Sequence, residues 1–140
     1  MSWVIDTSVA LRWFLAGEQH PHAEAILEQV TETPTRFAVP ELFTFEVYAV
    51  LERLHANGQQ VFTQGILPLL EIGILRQPMT REMAMAARRF VSLGLTGYDA
   101  CYAALASELE GQWLTFDARA HRRIRDEGVS IDLNTGIPQW

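Results

Sequence analysis

The sequence predicts an α/β fold: a three-layer sandwich with a mainly parallel central sheet flanked by helices. Two observations carry this. The chain alternates short apolar, β-branched or aromatic runs with segments of helical periodicity, and those segments open at Thr, Asp or Pro and close near Gly or Asn. Its 140 residues, 49% of them hydrophobic, suit one compact domain over residues 1–140 that buries a core without cross-links.

The elements follow in order. Trp3 to Ile5 is a strand that stops at Asp6, and Val9 to Leu15 is helical. Pro21 stands in the first turn of a helix over HAEAILEQV, and RFAVP is a second strand ended by Pro40. A long helix runs from Leu42 to a stop at Asn57-Gly58, with Phe43, Val47, Val50, Leu51 and Leu54 on one face. Thr63 to Ile72 is helical despite Pro68, and ILRQP is a brief strand or extended link. Thr80 caps REMAMAARRFVSLG, and Thr96 caps the helix that carries Asp99 and runs to Gly111. WLTF is a strand, Asp117 to Arg125 a helix and VSIDL the last strand, with no internal repeat, linker or low-complexity segment.

Composition narrows the function classes. The single cysteine, Cys101, cannot form an internal disulfide and reads as a small buried hydrophobe. Asp6 follows only a few apolar residues with no basic leader, and GILPLLEIGIL is interrupted by Pro68 and Glu71. The expectation is a cytoplasmic protein with no membrane contact. A formal net charge of -6 is the wrong sign for gripping nucleic acid with the whole surface, so any such grip is local. All 11 basic residues are arginine, whose fork suits phosphate oxygens. Four lie in ARAHRRIR, where Arg119, Arg122 and Arg123 share or border one helix face. The plainer reading of that run is a solvated surface helix.

Three carboxylates lie at strand-helix junctions, where ligand sites form in parallel sheets: Asp6, Asp99 and Asp117. Each alone reads as a helix cap, Asp99 as one half of a capping box with Thr96. Glu46 is a fourth, at the border of its helix's apolar face, whereas Glu52 points away. Two ionised carboxylates about 5 Å apart repel by about 3 kcal/mol at an effective dielectric near 20, so a cluster needs a cation. Hard oxygen donors without His or Cys suit Mg²⁺ or Mn²⁺. His20 and His22, in HPH, are expected to be exposed loop residues.

Four blocks, WVIDTSVALRWF, VPELFTFEVYAVL, LTGYDACYAALA and WLTFD, resemble in order and spacing those of PIN-domain ribonucleases, particularly toxin subunits of VapBC-type toxin-antitoxin pairs. The resemblance spans nearly the whole chain. It implies an endoribonuclease that cleaves single-stranded or looped RNA with Mg²⁺, for which Mn²⁺ substitutes. Asp6, Glu46, Asp99 and Asp117 match the family's metal-holding catalytic acids, Asp117 acting through water, and Ser8 and Thr115 match its hydroxyl positions. It further implies a homodimer and a cognate antitoxin that blocks the site; the apolar surface of the Val47 and Leu67 helices offers a docking place, although most of those residues are expected in the core. One departure is Ala49, where such toxins commonly have asparagine three residues after the glutamate.

Three rivals stand beside this reading. A structure-specific DNA nuclease of the flap-endonuclease group needs DNA-binding elements for which this chain lacks room. A phosphoacceptor signalling domain needs a lysine, and the chain has none. A catalytically silent binding module of the same fold is separated from an enzyme only by assay.

Overall fold

β1 (Trp3–Ile5) is the middle strand of a five-stranded sheet, in a computed structural model that describes residues 2–140. With β2 (Phe37–Pro40), β3 (Leu75–Gln77), β4 (Gln112–Thr115) and β5 (Ser130–Asp132), the order is β3-β2-β1-β4-β5. Every pairing is parallel, with Val4 opposite Ala38 on one side and Trp113 on the other. β1 and β2 are buried throughout, which is why they read as unbroken apolar runs rather than alternating ones.

Helices cover both faces. α7 (Gly97–Glu108) lies over β1, β2 and β4, and α6 (Arg81–Ser92) packs behind it. Its residues Ala100 to Ala106 are all buried, as expected of a helix enclosed on every side. On the other face Ile5 lines a small apolar space with Trp13 of α1 (Thr7–Phe14) and Phe43 of α3 (Leu42–Leu54). α2 (Pro21–Glu32) packs on α1. Among the described residues no helix is long and apolar enough to cross a membrane.

Several local expectations need correction. α3 ends at Leu54, not at Asn57-Gly58, and His55 is already extended at φ -110, ψ 135. Gly58 instead opens a further helix, α4 (Gly58–Val61), and is glycine because a Cβ there would lie 2.2 Å from the Leu51 carbonyl oxygen. It serves close approach rather than termination. Phe43, Val47 and Leu51 are buried, but Leu54 is 57% exposed, so the apolar residues of α3 do not form one core face.

The proline segment is helical, with a widened turn. Between α4 and α5 (Leu67–Leu70), residues Phe62–Ile66 form a π turn in which the Leu67 amide reaches back to the Phe62 carbonyl. Pro68 falls in the first turn beyond it, where a missing N–H costs least. α7 stops at Glu108 rather than Gly111, since Glu110 turns left-handed at φ 52 and the Gly111 amide returns to the Ala106 carbonyl at 2.8 Å.

His20 and His22 are half-buried, not exposed loop residues. His20 is the N-cap of α2, its Nδ1 accepting the His22 amide at 3.0 Å, and the His22 ring meets the Leu133 carbonyl at 2.6 Å.

Candidate functional site

The chain winds outward from β1 to β3 and then returns to β4 on the opposite side of β1, so β1 and β4 flank a topological switch point. Segments leaving such a pair diverge and open a crevice at the strands' carboxyl ends. Asp6 follows β1 there and Asp117 follows β4.

Asp6 is 7% exposed and extended at φ -116, ψ -179. Its Oδ1 accepts the Ser8 amide at 3.0 Å, capping α1, and the Ser8 hydroxyl at 2.5 Å. Its Oδ2 accepts Trp113 Nε1 at 3.0 Å. Val4 and Trp113 are register partners, and residues two apart share a strand face, which places the indole beneath Asp6. Burial pushes the Asp6 carboxyl up to about 6, against the pull of Ser8, Thr115 and Trp113, and the charge of Asp99 adds to the rise.

Glu46 projects from α3 into hydrogen bonds from two other elements. Tyr102 Oη of α7 donates to Glu46 Oε1 at 2.5 Å, and Thr7 Oγ1, at the start of α1, donates to the same oxygen at 3.4 Å. Burial first, and then Glu46, hold the Tyr102 phenol far above its ordinary range, so it stays a protonated donor.

Asp99 stands in the first turn of α7, half-buried. Thr96 is the N-cap, its hydroxyl accepting the Asp99 backbone amide at 3.1 Å, so the cap uses the main chain of residue 99. The carboxyl is raised by burial and then by the charges of Asp117 and Glu46, while Thr96 and Arg123 pull it down. Asp117 is exposed and caps α8 (Ala118–Ile124), accepting the Ala120 amide at 2.9 Å, and its own amide donates to Thr115 Oγ1 at 3.0 Å. Capping is therefore real for Asp6 and Asp117, and accounts for neither the burial of Asp6 nor the coupling among the acids.

The four acids thus share one end of the sheet, where the charge of Asp99 acts on Asp6 and the charges of Asp117 and Glu46 act on Asp99. Among the described residues, no three His, Cys, Asp or Glu side chains stand in a ready-made metal-holding group. The donor chemistry nevertheless fits a hard divalent cation: carboxylate oxygens, one carboxylate buried, with Asp6 and Asp99 raised first by burial and further by neighbouring acids.

Ser8 and Thr115 both lie inside this arrangement, the Ser8 hydroxyl also accepting the Phe116 amide at 3.1 Å. The three arginines divide. Arg123 Nη1 donates to the Gly94 carbonyl at 2.8 Å, and its charge reaches Asp99. Arg119 and Arg122 are exposed, and among the described residues neither makes an ion pair or side-chain hydrogen bond. Sequence reasoning missed Tyr102, Trp113 and Thr7. The one local signal was that Tyr102 is the i+3 neighbour of Asp99 on one helix face, which does not name its partner Glu46, and Trp113 carried none.

A family model described as the PIN domain matches residues 3–127. The chain belongs to the PIN-domain family. Solved PIN-like structures share its fold at low identity. A toxin-antitoxin complex from Klebsiella pneumoniae aligns at TM-score 0.69 and 16% identity over 94% of this chain and 98% of that one. FitAcB from Neisseria gonorrhoeae aligns at 0.68 and 17% over 88% and 93%. VapC20 of Mycobacterium tuberculosis, described as a sarcin-ricin loop cleaving toxin, aligns at 0.67 and 14% over 94% and 98%. No curated protein matches the sequence. Within the PIN fold the switch-point acids of this chain define the candidate site.

Proposed function

We propose that this PIN domain is a Mg²⁺- or Mn²⁺-dependent endoribonuclease acting on single-stranded or looped RNA, and the toxin of a toxin-antitoxin pair. The observation that carries the reading is the convergence of Asp6, Glu46, Asp99 and Asp117 at the switch point, with Asp6 buried and Asp99 raised by burial and then by the charges of Asp117 and Glu46. Asp6, Asp99 and Glu46 would hold the cation, and Asp117, more exposed, would act through water. When bound, a divalent ion supplies an acidified water and neutralises charge on the scissile phosphate.

The chain's own residues prepare that chemistry. Ser8 and Trp113 fix both oxygens of Asp6, and Tyr102 and Thr7 fix Glu46. Arg119 and Arg122 are free to pair with backbone phosphates, and Arg123 borders Asp99, where it tempers the acid cluster. Unpaired bases or loop shape would provide selectivity.

An antitoxin partner is supported by the toxin-antitoxin complexes among the structural neighbours. On the helices expected to receive it, the exposed apolar residues of α3 are Phe45, Tyr48 and Leu54, whereas Val47 is fully buried. The same face is open to a second copy in the proposed homodimer.

The deciding experiment is cleavage of unstructured and hairpin RNA in Mn²⁺, with and without chelator, for the parent and Asp6→Asn. Cleavage that needs the metal and the aspartate supports the reading. Undiminished cleavage in excess EDTA refutes the mechanism, and a folded parent inert with metal leaves the silent module. Cutting confined to DNA substrates supports the DNA nuclease.

A further inference from the structure

We propose that Tyr102 and Trp113 form one positioning unit that sets the spacing of Glu46 and Asp6 for a hard divalent cation. The inference rests on the metal-dependent reading above. The two rings stack with centroids 6.0 Å apart and planes 15° from parallel. Tyr102 is 2% exposed and Trp113 fully buried, so the pair is held by the core between sheet and α7. Its two polar tips reach different carboxylates: Tyr102 Oη bonds Glu46 at 2.5 Å, and Trp113 Nε1 bonds Asp6 at 3.0 Å. An acid from α3 and an acid from the end of β1 are thereby referred to one rigid aromatic block.

The chemistry of the donors matters as much as their placement. A phenol O–H and an indole N–H are neutral, so they orient a carboxylate without cancelling its charge, which stays available to a cation. An arginine or lysine in either position would orient and neutralise together. Among the described residues Glu46 Oε2 has no hydrogen-bond partner, so the tyrosine fixes one oxygen and leaves the other open. A tyrosine that only filled the core would need some acceptor for its hydroxyl, and a main-chain carbonyl would serve. Here the acceptor is a half-buried member of the acid group.

Mn²⁺ titration calorimetry on the full chain tests this, comparing the parent, Tyr102→Phe, Trp113→Phe, Glu46→Ala and the Tyr102→Phe, Glu46→Ala double variant. We expect Tyr102→Phe to weaken Mn²⁺ about 10-fold, the usual scale for removing a partner of a metal ligand. That loss should vanish in the Glu46→Ala background. In the RNA-cleavage assay the same variant should lose kcat at low Mn²⁺ and regain it at excess Mn²⁺, with KM for RNA unchanged. A folded Tyr102→Phe that binds Mn²⁺ within about 2-fold of the parent overturns the proposal, as does an equal loss without Glu46. Should Tyr102→Phe not fold, Thr7→Val probes the same Glu46 oxygen from outside the core: weaker Mn²⁺ binding supports the network and unchanged binding overturns it. A parent that binds no Mn²⁺ overturns the metal reading itself and this inference with it.

Discussion

The Ser8 hydroxyl, at the second residue of α1, accepts the backbone amide of Phe116 at 3.1 Å while donating to Asp6 at 2.5 Å. Through one oxygen it ties the segment leaving β1 to the segment leaving β4, the two strands between which the chain changes direction. It also holds the Asp6 carboxyl down against burial.

Ser8→Ala therefore removes three things together: a donor to a buried acid, an acceptor for a main-chain amide and a tie across the crevice. We expect a loss of about 1–3 kcal/mol in stability, from the orphaned amide and the less satisfied carboxylate. Cleavage should fall about 10–100-fold, as for partners of metal ligands. Urea melts and initial rates check the two effects. Parent-like values in both would mean that Ser8 only decorates the helix start.

How much of this was readable in the sequence differs by kind of signal. The mainly parallel sheet follows from alternation of short apolar runs with helices, though not its strand order, and Asp6 and Asp117 were visible because they stand at strand-helix junctions. Tyr102 was not, since its partner Glu46 lies 56 residues away and the two side chains meet only once α3 and α7 are both placed on the sheet. Trp113 reads as core in any sequence, because its one polar atom finds Asp6 only after β1 and β4 pair. The π turn at Phe62–Ile66 is likewise invisible, an adjustment of hydrogen-bond register rather than of residue type.

Gly58 separates a stop signal from a close contact. A glycine that merely ends a helix in the left-handed region costs about 1–2 kcal/mol on becoming alanine. Here a Cβ would sit 2.2 Å from the Leu51 oxygen and 2.5 Å from its carbonyl carbon, both main chain, so α3 and α4 would have to part. Gly58→Ala should cost about 3 kcal/mol, in the upper range of overpacking. Denaturant melts decide, and a cost below about 1 kcal/mol would show that the approach is not needed.

The arginines of α8 should behave unequally. Arg119 and Arg122 are exposed, so the Arg119→Ala, Arg122→Ala variant should weaken RNA binding and reduce the slope of log K against log salt by about 0.7 per lost single-strand phosphate contact. Arg123→Ala should also release the Gly94 carbonyl and let the Asp99 carboxyl rise, because Arg123 holds both. Fluorescence anisotropy from low to high salt measures the slopes. An unchanged slope in the double variant removes those two residues from the RNA path.

Metal-free stability should respond to pH and to Asp99 in a way that capping alone does not produce. Asp6 titrates in the folded chain at about 6, above its ordinary 3.8, and Asp99 is raised as well. A raised carboxyl favours the folded state most when protonated. Its contribution is fully present below the unfolded value of 3.8 and is lost as pH rises through about 6. For Asp6, which is 7% exposed, the window corresponds to about 3 kcal/mol. Asp99→Asn should then raise the melting temperature in EDTA at neutral pH by removing charge that repels Asp117 and Glu46. The Thr96 cap survives the change, since it binds the main-chain amide of residue 99. Mg²⁺ should protect the parent by about 2.7 kcal/mol when present at 100 times its dissociation constant, and the variant by less. Thermal melts of both proteins across pH 4 to 8 (roughly the window of the two shifts), in EDTA and in a Mg²⁺ series, make the comparison. If Asp99→Asn melts lower in EDTA and keeps the parent's full response to Mg²⁺, Asp99 belongs to the helix and not to the metal.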